Sequence, residues 1–148
     1  MVELTVVIVL IATIAAVTAP RFFAALEFEE SFFRNDTLGA LRYAQKLAVA
    51  SGCQVRVTIN SGGYSMNRQD GDPCSGGSFT LNVTHPGTGA SGYSNTASSG
   101  ISLSGDTPIT FDALGRALNA GGSVADATVN VGSLSIEVIG ETGFVYAP

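Results

Sequence analysis

Nothing narrows the folding options of this 148-residue chain more than its amino terminus, MVELTVVIVLIATIAAVTAPRFF. Between Glu3 and Arg21 no residue carries a charge, and Val, Ile, Leu, Ala and Thr fill nearly every position. An α-helix rises about 1.5 Å per residue, so the run is long enough to cross a bilayer core. Two residues depart from a plain anchor. Glu3 stands at the front of the run, where an acid near an intramembrane helix end costs up to about 3 kcal/mol unless it is paired or interfacial. Pro20 stands at the back, inside a pattern that continues as helix. Its ring removes one helical hydrogen bond and crowds the preceding turn, so a bend or local unwinding is expected near residues 16–20.

Beyond Pro20 the apolar positions Phe22, Leu26, Phe33, Leu41, Ala44, Leu47 and Ala48 keep near-helical spacing, with Glu27, Glu29, Glu30, Arg34, Arg42 and Lys46 mostly between them. One helix over residues 1 to about 51 then has two environments, apolar all round to residue 25 and amphipathic over residues 26–51. A signal anchor followed by an unrelated globular helix is the competing reading. A cleavable signal peptide fits less well, because there is no basic n-region and no clean Ala-x-Ala site. The stretch RNDTLG, Arg34–Gly39, is poor in helix formers and holds Asp36 or Thr37 as a candidate cap, so it marks a weak spot. Gly52 is expected to end the helix.

From Cys53 the period changes to two. QVRVTIN (Gln54–Asn60) alternates Val55, Val57 and Ile59 with polar residues, the mark of a half-buried strand. Ser61–Gly63 reads as a turn, Tyr64–Arg68 as the return strand and Phe79–Thr84 as another. His85–Gly100 is dense in Gly and Ser and reads as an exposed loop of variable conformation. Short strands are expected again at Ile101–Ser104, Pro108–Gly115, Ala127–Gly132, Leu134–Gly140 and Gly143–Pro148. Residues 53–148 are thus an antiparallel β unit.

The segment VELTVVIVLIATIAAVTAPRFF resembles the amino-terminal helix of type IV pilins and type II secretion pseudopilins, which carry a glutamate near the mature terminus and a proline seventeen residues on. Glu3 and Pro20 keep that interval. In this register Met1 takes the third mature position, and the family's leader, cleavage-site glycine and first two mature residues have no counterpart in the sequence, so the processing site and any methylated terminus are not read from it. ITFDALGRALNAG followed by LSIEVIGETGFVYA is similar to the carboxy-terminal half of GspH/FimT-type minor pilins, with Phe111, Gly115, Thr142 and Gly143 at the matching positions. The family often has Arg after the T-G turn, where this chain has Phe144.

The resemblance implies an α+β fold: a long amino-terminal helix whose second half packs on an antiparallel β-sheet head. It implies a structural subunit, a minor one, of a type IV pilus (an MSHA-type pilus among them) or of a type II secretion pseudopilus. The implied partners are sister pilins or pseudopilins, the inner-membrane assembly platform and, before assembly, the membrane itself. The implied places are the inner membrane with a periplasmic head, then the filament at the cell surface. Glu3 is the implied assembly residue, pairing with a neighbouring subunit's amino terminus. The alternative is an interfacial acid at a helix start, favoured by the dipole.

Composition constrains the remainder. Residues 1–50 hold five acids and four bases, whereas residues 51–148 hold seven acids against Arg56, Arg68 and Arg116. An acidic head suits nucleic acid poorly, because phosphate contacts supply most non-specific affinity. Capture of DNA, an activity of some FimT-type relatives, needs an arginine cluster, and residues 117–148 contain no Lys or Arg. Cys53 and Cys74 form no CxxC pair, and the single His85 completes no common zinc set. An amino terminus that exports the rest of the chain makes a Cys53–Cys74 disulfide the expected state, with two buried free thiols as the alternative. Asp70-Gly-Asp72 reads as a turn before it reads as a calcium loop, and the Asn35 and Asn82 sequons as chance. There is no Gly-x-Ser-x-Gly elbow and no Gly-rich loop leading into Lys-Ser/Thr. No catalytic residue, cofactor or metal is expected, and no enzyme activity.

Overall fold

The structure, a computed structural model, describes residues 2–71, 74 and 77–148, with the side chains of residues 16–26 outside the description. Helix α1 (Val2–Ser51) is a single helix of 50 residues. Its second half buries Phe33, Thr37, Ala40, Leu41, Ala44 and Ala48 along one face, at the three- and four-residue spacing of a helical stripe. It ends at Gly52, whose φ of 68° reverses the chain as a left-handed cap residue does. The bend expected at Pro20 falls among side chains outside the description.

The weak spot expected at Arg34–Gly39 is continuous helix. Tertiary contacts outweigh the poor propensities there. Thr37 is fully buried and its hydroxyl donates to the Phe33 carbonyl at 2.9 Å. Asp36 caps nothing; its Oδ2 accepts from the Tyr64 hydroxyl at 2.6 Å and from Asn95 Nδ2 at 2.9 Å. Those bonds tie the helix to two strands.

Ten strands follow: β1 (Val55–Asn60), β2 (Gly63–Arg68), β3 (Leu81–Asn82), β4 (Tyr93–Thr96), β5 (Leu103–Gly105), β6 (Ile109–Phe111), β7 (Ala117–Leu118), β8 (Ala127–Val131), β9 (Leu134–Val138) and β10 (Val145–Tyr146). They build two antiparallel sheets. The first runs β3-β2-β1-β6-β7, with β4 also on β2; the second runs β10-β9-β8-β5. Backbone bonds join the two: Leu103 N donates to the Ser61 carbonyl at 3.3 Å, and Ala117 N donates to the Gly140 carbonyl at 2.8 Å. The helix lies over both sheets, and Val55, Val57, Met66, Ile109 and Phe111 of the first join Val129, Val131, Ile136, Val138 and Val145 of the second in one core.

The first hairpin stands where the two-residue period puts it, with Val57 opposite Met66 and Asn60 opposite Gly63. Several segments differ from expectation: Pro108–Gly115 shortens to β6, Gly143–Pro148 shortens to β10, and β7 stands where no strand is expected. Phe79–Thr84 shortens to β3 plus an isolated bridge between Thr84 and Ser91. The Gly- and Ser-rich stretch is not all exposed loop: β4 pairs with β2 from Gly63↔Thr96 to Met66↔Tyr93. Tyr93 is the reason. It is 7% exposed, and its ring packs against Tyr43, Tyr64 and His85 with centroids 5.5, 6.2 and 4.4 Å away. One buried aromatic anchors a segment whose other residues carry little apolar surface.

Candidate assembly site

The described side chains at the front of α1, residues 2–15, are all exposed. Among the described residues, the first bond between helix and head is made by Glu30, whose Oε1 accepts from Ser133 N at 2.6 Å and Ser133 Oγ at 2.7 Å. Every described side chain before it is exposed, from residues 2–15 and again at residues 27–29. Val2, Leu4 and Ile11 are 77%, 68% and 63% exposed. Thr5 and Thr13 turn their hydroxyls inward to the Val2 and Leu10 carbonyls, at 2.7 and 2.9 Å. Their donors are thereby spent within the helix, and the outer surface they present is largely methyl.

At about 1.5 Å per residue, the exposed stretch of residues 2–15 alone is about 20 Å of helix. An apolar surface of this extent exceeds the few hundred Å² that a soluble monomer usually shows, and marks a surface that another phase or chain covers. Burying each such Val, Leu or Ile is worth about 1.5–3 kcal/mol. Glu3 lies in the first turn of α1, beside Leu4, Val7 and Ile8 on an open, mostly apolar dent. It is the one carboxylate in that surface before Glu27.

Two contacts set the rod's attachment to the head. At the near end, Gly132 (φ 57°) and Ser133 form the β8–β9 turn around Glu30, and a Cβ at Gly132 would lie 2.5 Å from the Glu30 carboxyl carbon. The Ser133 hydroxyl, its backbone N–H and the Leu134 N–H hold the Glu30 carboxyl below its ordinary range. Further along, Arg42 donates Nε and Nη2 to the Val145 carbonyl at 3.0 and 2.9 Å, and Gln45 Nε2 donates to the Gly115 and Thr142 carbonyls at 3.2 and 2.8 Å.

This gives a physical account of the two glycines in the carboxy-terminal motif. Gly115 (φ 83°) and Gly143 (φ 61°) meet under Gln45, and a Cβ on Gly143 would fall onto the Gly115 carbonyl oxygen. The preceding turn is closed by Asp112, whose Oδ1 accepts from Leu114 N and Arg116 N at 3.0 and 2.8 Å, and whose Oδ2 is bridged to the Arg116 guanidinium at 2.8 Å. Sequence reasoning passed over Gln45, Arg42, Glu30 and Asp112. Their polar types carried no signal of which carbonyl or amide each would meet.

Cys53 and Cys74 are joined in a disulfide, with Cα atoms 5.4 Å apart. Asp70 accepts from Thr80 Oγ1 at 3.0 Å, Asp72 lies outside the described residues, and no metal-ligand cluster occurs among the described residues. His85 is tied to its own loop, Nδ1 accepting from Gly87 N and Thr88 N at 3.0 and 3.2 Å. Among the described residues no helix is long and apolar enough to cross a membrane; the side chains that would carry the run past residue 15 lie outside them.

A long helix with a bare apolar front and a two-sheet head laid over its back half defines a pilin-like protein. A family model for the type II transport protein GspH matches residues 34–140, and the chain belongs to that family. The family consists of structural proteins of the pilin and pseudopilin class, not enzymes. Two solved structures share the fold. The minor pseudopilin EpsH of the type 2 secretion system of Vibrio cholerae aligns at a TM-score of 0.58 and 12% identity, over 80% of this chain and 94% of its own. The type IV minor pilin FimU of Pseudomonas aeruginosa aligns at 0.56 and 11%, over 82% and 90%. No curated protein sequence matches significantly.

Proposed function

We propose that this chain is a minor structural subunit of a type IV pilus or a type II secretion pseudopilus, assembling through residues 1–25 and presenting residues 26–148 as its head. The carrying observation is the exposed apolar surface of α1 over residues 2–15 beside a head with a buried core of its own. Before assembly that surface sits in the inner membrane, with the head in the periplasm. In the filament it packs against sister subunits delivered by the same membrane platform, so one surface serves two solvents in turn.

Glu3 then fixes axial register. A carboxylate inside an apolar bundle is tolerated where a neighbouring amino terminus pairs with it, and a subunit misplaced by one step buries it unpaired. A DNA-capturing role draws no support from the head, where Arg56 lies over the Phe79 ring at 3.7 Å and Arg116 is paired with Asp112.

Glu3→Ala is expected to keep or raise the membrane-inserted level, since removing a carboxylate eases transfer into lipid, and to lower entry into filaments several-fold. Val2→Ala removes apolar bulk nearby without touching charge and should be mild. The measurement is the ratio of sheared-filament to membrane-bound subunit for wild type and both variants, with sister subunits co-expressed. Normal incorporation of Glu3→Ala would sink the pairing role.

A further inference from the structure

We propose that the cleft between α1 and the outer edge of the first sheet binds an extended, carboxylate-bearing peptide segment of a partner protein. Tyr43 and Leu47 of α1, Arg68 at the end of β2, and the run from Leu81 to Thr84 line this cleft of about 320 Å³. Two of its lining side chains are held by the core: the Tyr43 ring rests on Tyr93, and Leu47 packs on the core. Leu81 stands 40% exposed at its rim.

Arg68 supplies the charge. The other two arginines after residue 50 are engaged, Arg56 over the Phe79 ring and Arg116 with Asp112. Arg68 is half-buried and paired in the sheet through its backbone, and its guanidinium has no hydrogen-bond or ion-pair partner among the described residues. A guanidinium facing a cleft in an otherwise acidic head is set for an oxygen anion from outside, which its planar fork takes in two parallel hydrogen bonds.

The strand edge selects a peptide. β3, Leu81–Asn82, ends the sheet order and its outer side pairs with no strand among the described residues, while Val83 and Thr84 beyond it are bonded to Ser91–Tyr93. An exposed edge accepts an added strand through backbone hydrogen bonds, with alternate side chains entering the groove beside it. One unengaged guanidinium among the seven acids of residues 51–148 matches a single carboxylate and opposes a polyanion such as nucleic acid or an anionic lipid surface. The wall is also held in place beforehand. Arg68 pairs with Val55, Gln69 N donates to the Gln54 carbonyl at 2.8 Å, and the Cys53–Cys74 disulfide closes the following loop. Little ordering is left for binding to oppose.

The test uses the full chain in zwitterionic detergent and two probes, the acetylated and amidated peptides Val-Thr-Val-Glu-Val and Val-Thr-Val-Gln-Val, titrated by amide chemical shifts. The Glu peptide is expected to shift Leu81–Thr84 and to bind about tenfold tighter than the Gln peptide at low salt, the gap narrowing as salt screens it. Arg68→Ala should bring the two peptides to equal affinity, while Arg68→Lys, which keeps charge and stem, should retain part of the gap. No binding, equal binding of both peptides by wild type, or shifts confined to Phe144 and Tyr146 would overturn the proposal. A thymidine oligonucleotide that displaced the Glu peptide from the cleft would overturn it too, in favour of nucleic acid. None of these outcomes depends on filament entry.

Discussion

Glu30 accepts both the hydroxyl and the amide of one serine at the place where helix and head first meet. These donors favour its charged form and hold its pKa below the ordinary 4.5. The sign is set by linkage: a depressed folded pKa adds stability that is fully present above the unfolded value and is lost as pH falls through the folded one. Glu30→Gln is therefore expected to melt slightly below wild type at pH 6, with the difference closing as the pH is lowered from 4.5 towards 3. Paired thermal melts across that range check it. A gap that stayed constant down to pH 3 would mean the charge contributes nothing. The effect is small because the carboxyl is close to solvent. Tyr64 moves the other way: burial, then its hydrogen bond to Asp36, pushes its phenol well above the usual range, so it stays a neutral donor throughout.

Among elements, the loop between β2 and β3 depends most on covalent help. It carries little apolar surface, and the Cys53–Cys74 bond, closing a separation of 21 residues, ties it to the end of α1. In the chain-entropy model such a closure stabilises by about 3 kcal/mol. Replacing both cysteines by alanine should lower the denaturation free energy of the head by an amount of that order while leaving β1 and β2 paired. Denaturant titration, with intact mass after alkylation under non-reducing conditions, decides it. Two alkylated cysteines in periplasmically exported protein would show that the bond does not form there. The first hairpin was legible from its alternation, because a half-buried strand writes its period into Val55, Val57 and Ile59. β4 was not legible. Tyr93 is a single apolar residue among Gly, Ser and Asn, and its value comes from three rings contributed by α1, β2 and the loop at His85.

Across the whole molecule, the helix is divided between a core face and an exposed apolar surface. A chain beginning at Glu27 is expected to be soluble and monomeric and to melt cooperatively, since the helical core face begins at Phe33 and the head is clamped from Glu30. Sedimentation and thermal unfolding of that chain test the division, and aggregation or a non-cooperative melt would refute it. The amino-acid order alone determined the apolar front, the position of Glu3 within it, the amphipathic stripe from Phe33 to Ala48 and most of the short strands. These are local periodicities, and a helix or a half-buried strand cannot form without leaving them in the chain. Tertiary structure alone decided that Arg34–Gly39 stays helical, that Gly115 and Gly143 meet under Gln45, and that Arg68 faces an open strand edge. Each depends on atoms brought together from distant positions, and a single polar residue carries no mark of the partner it will meet.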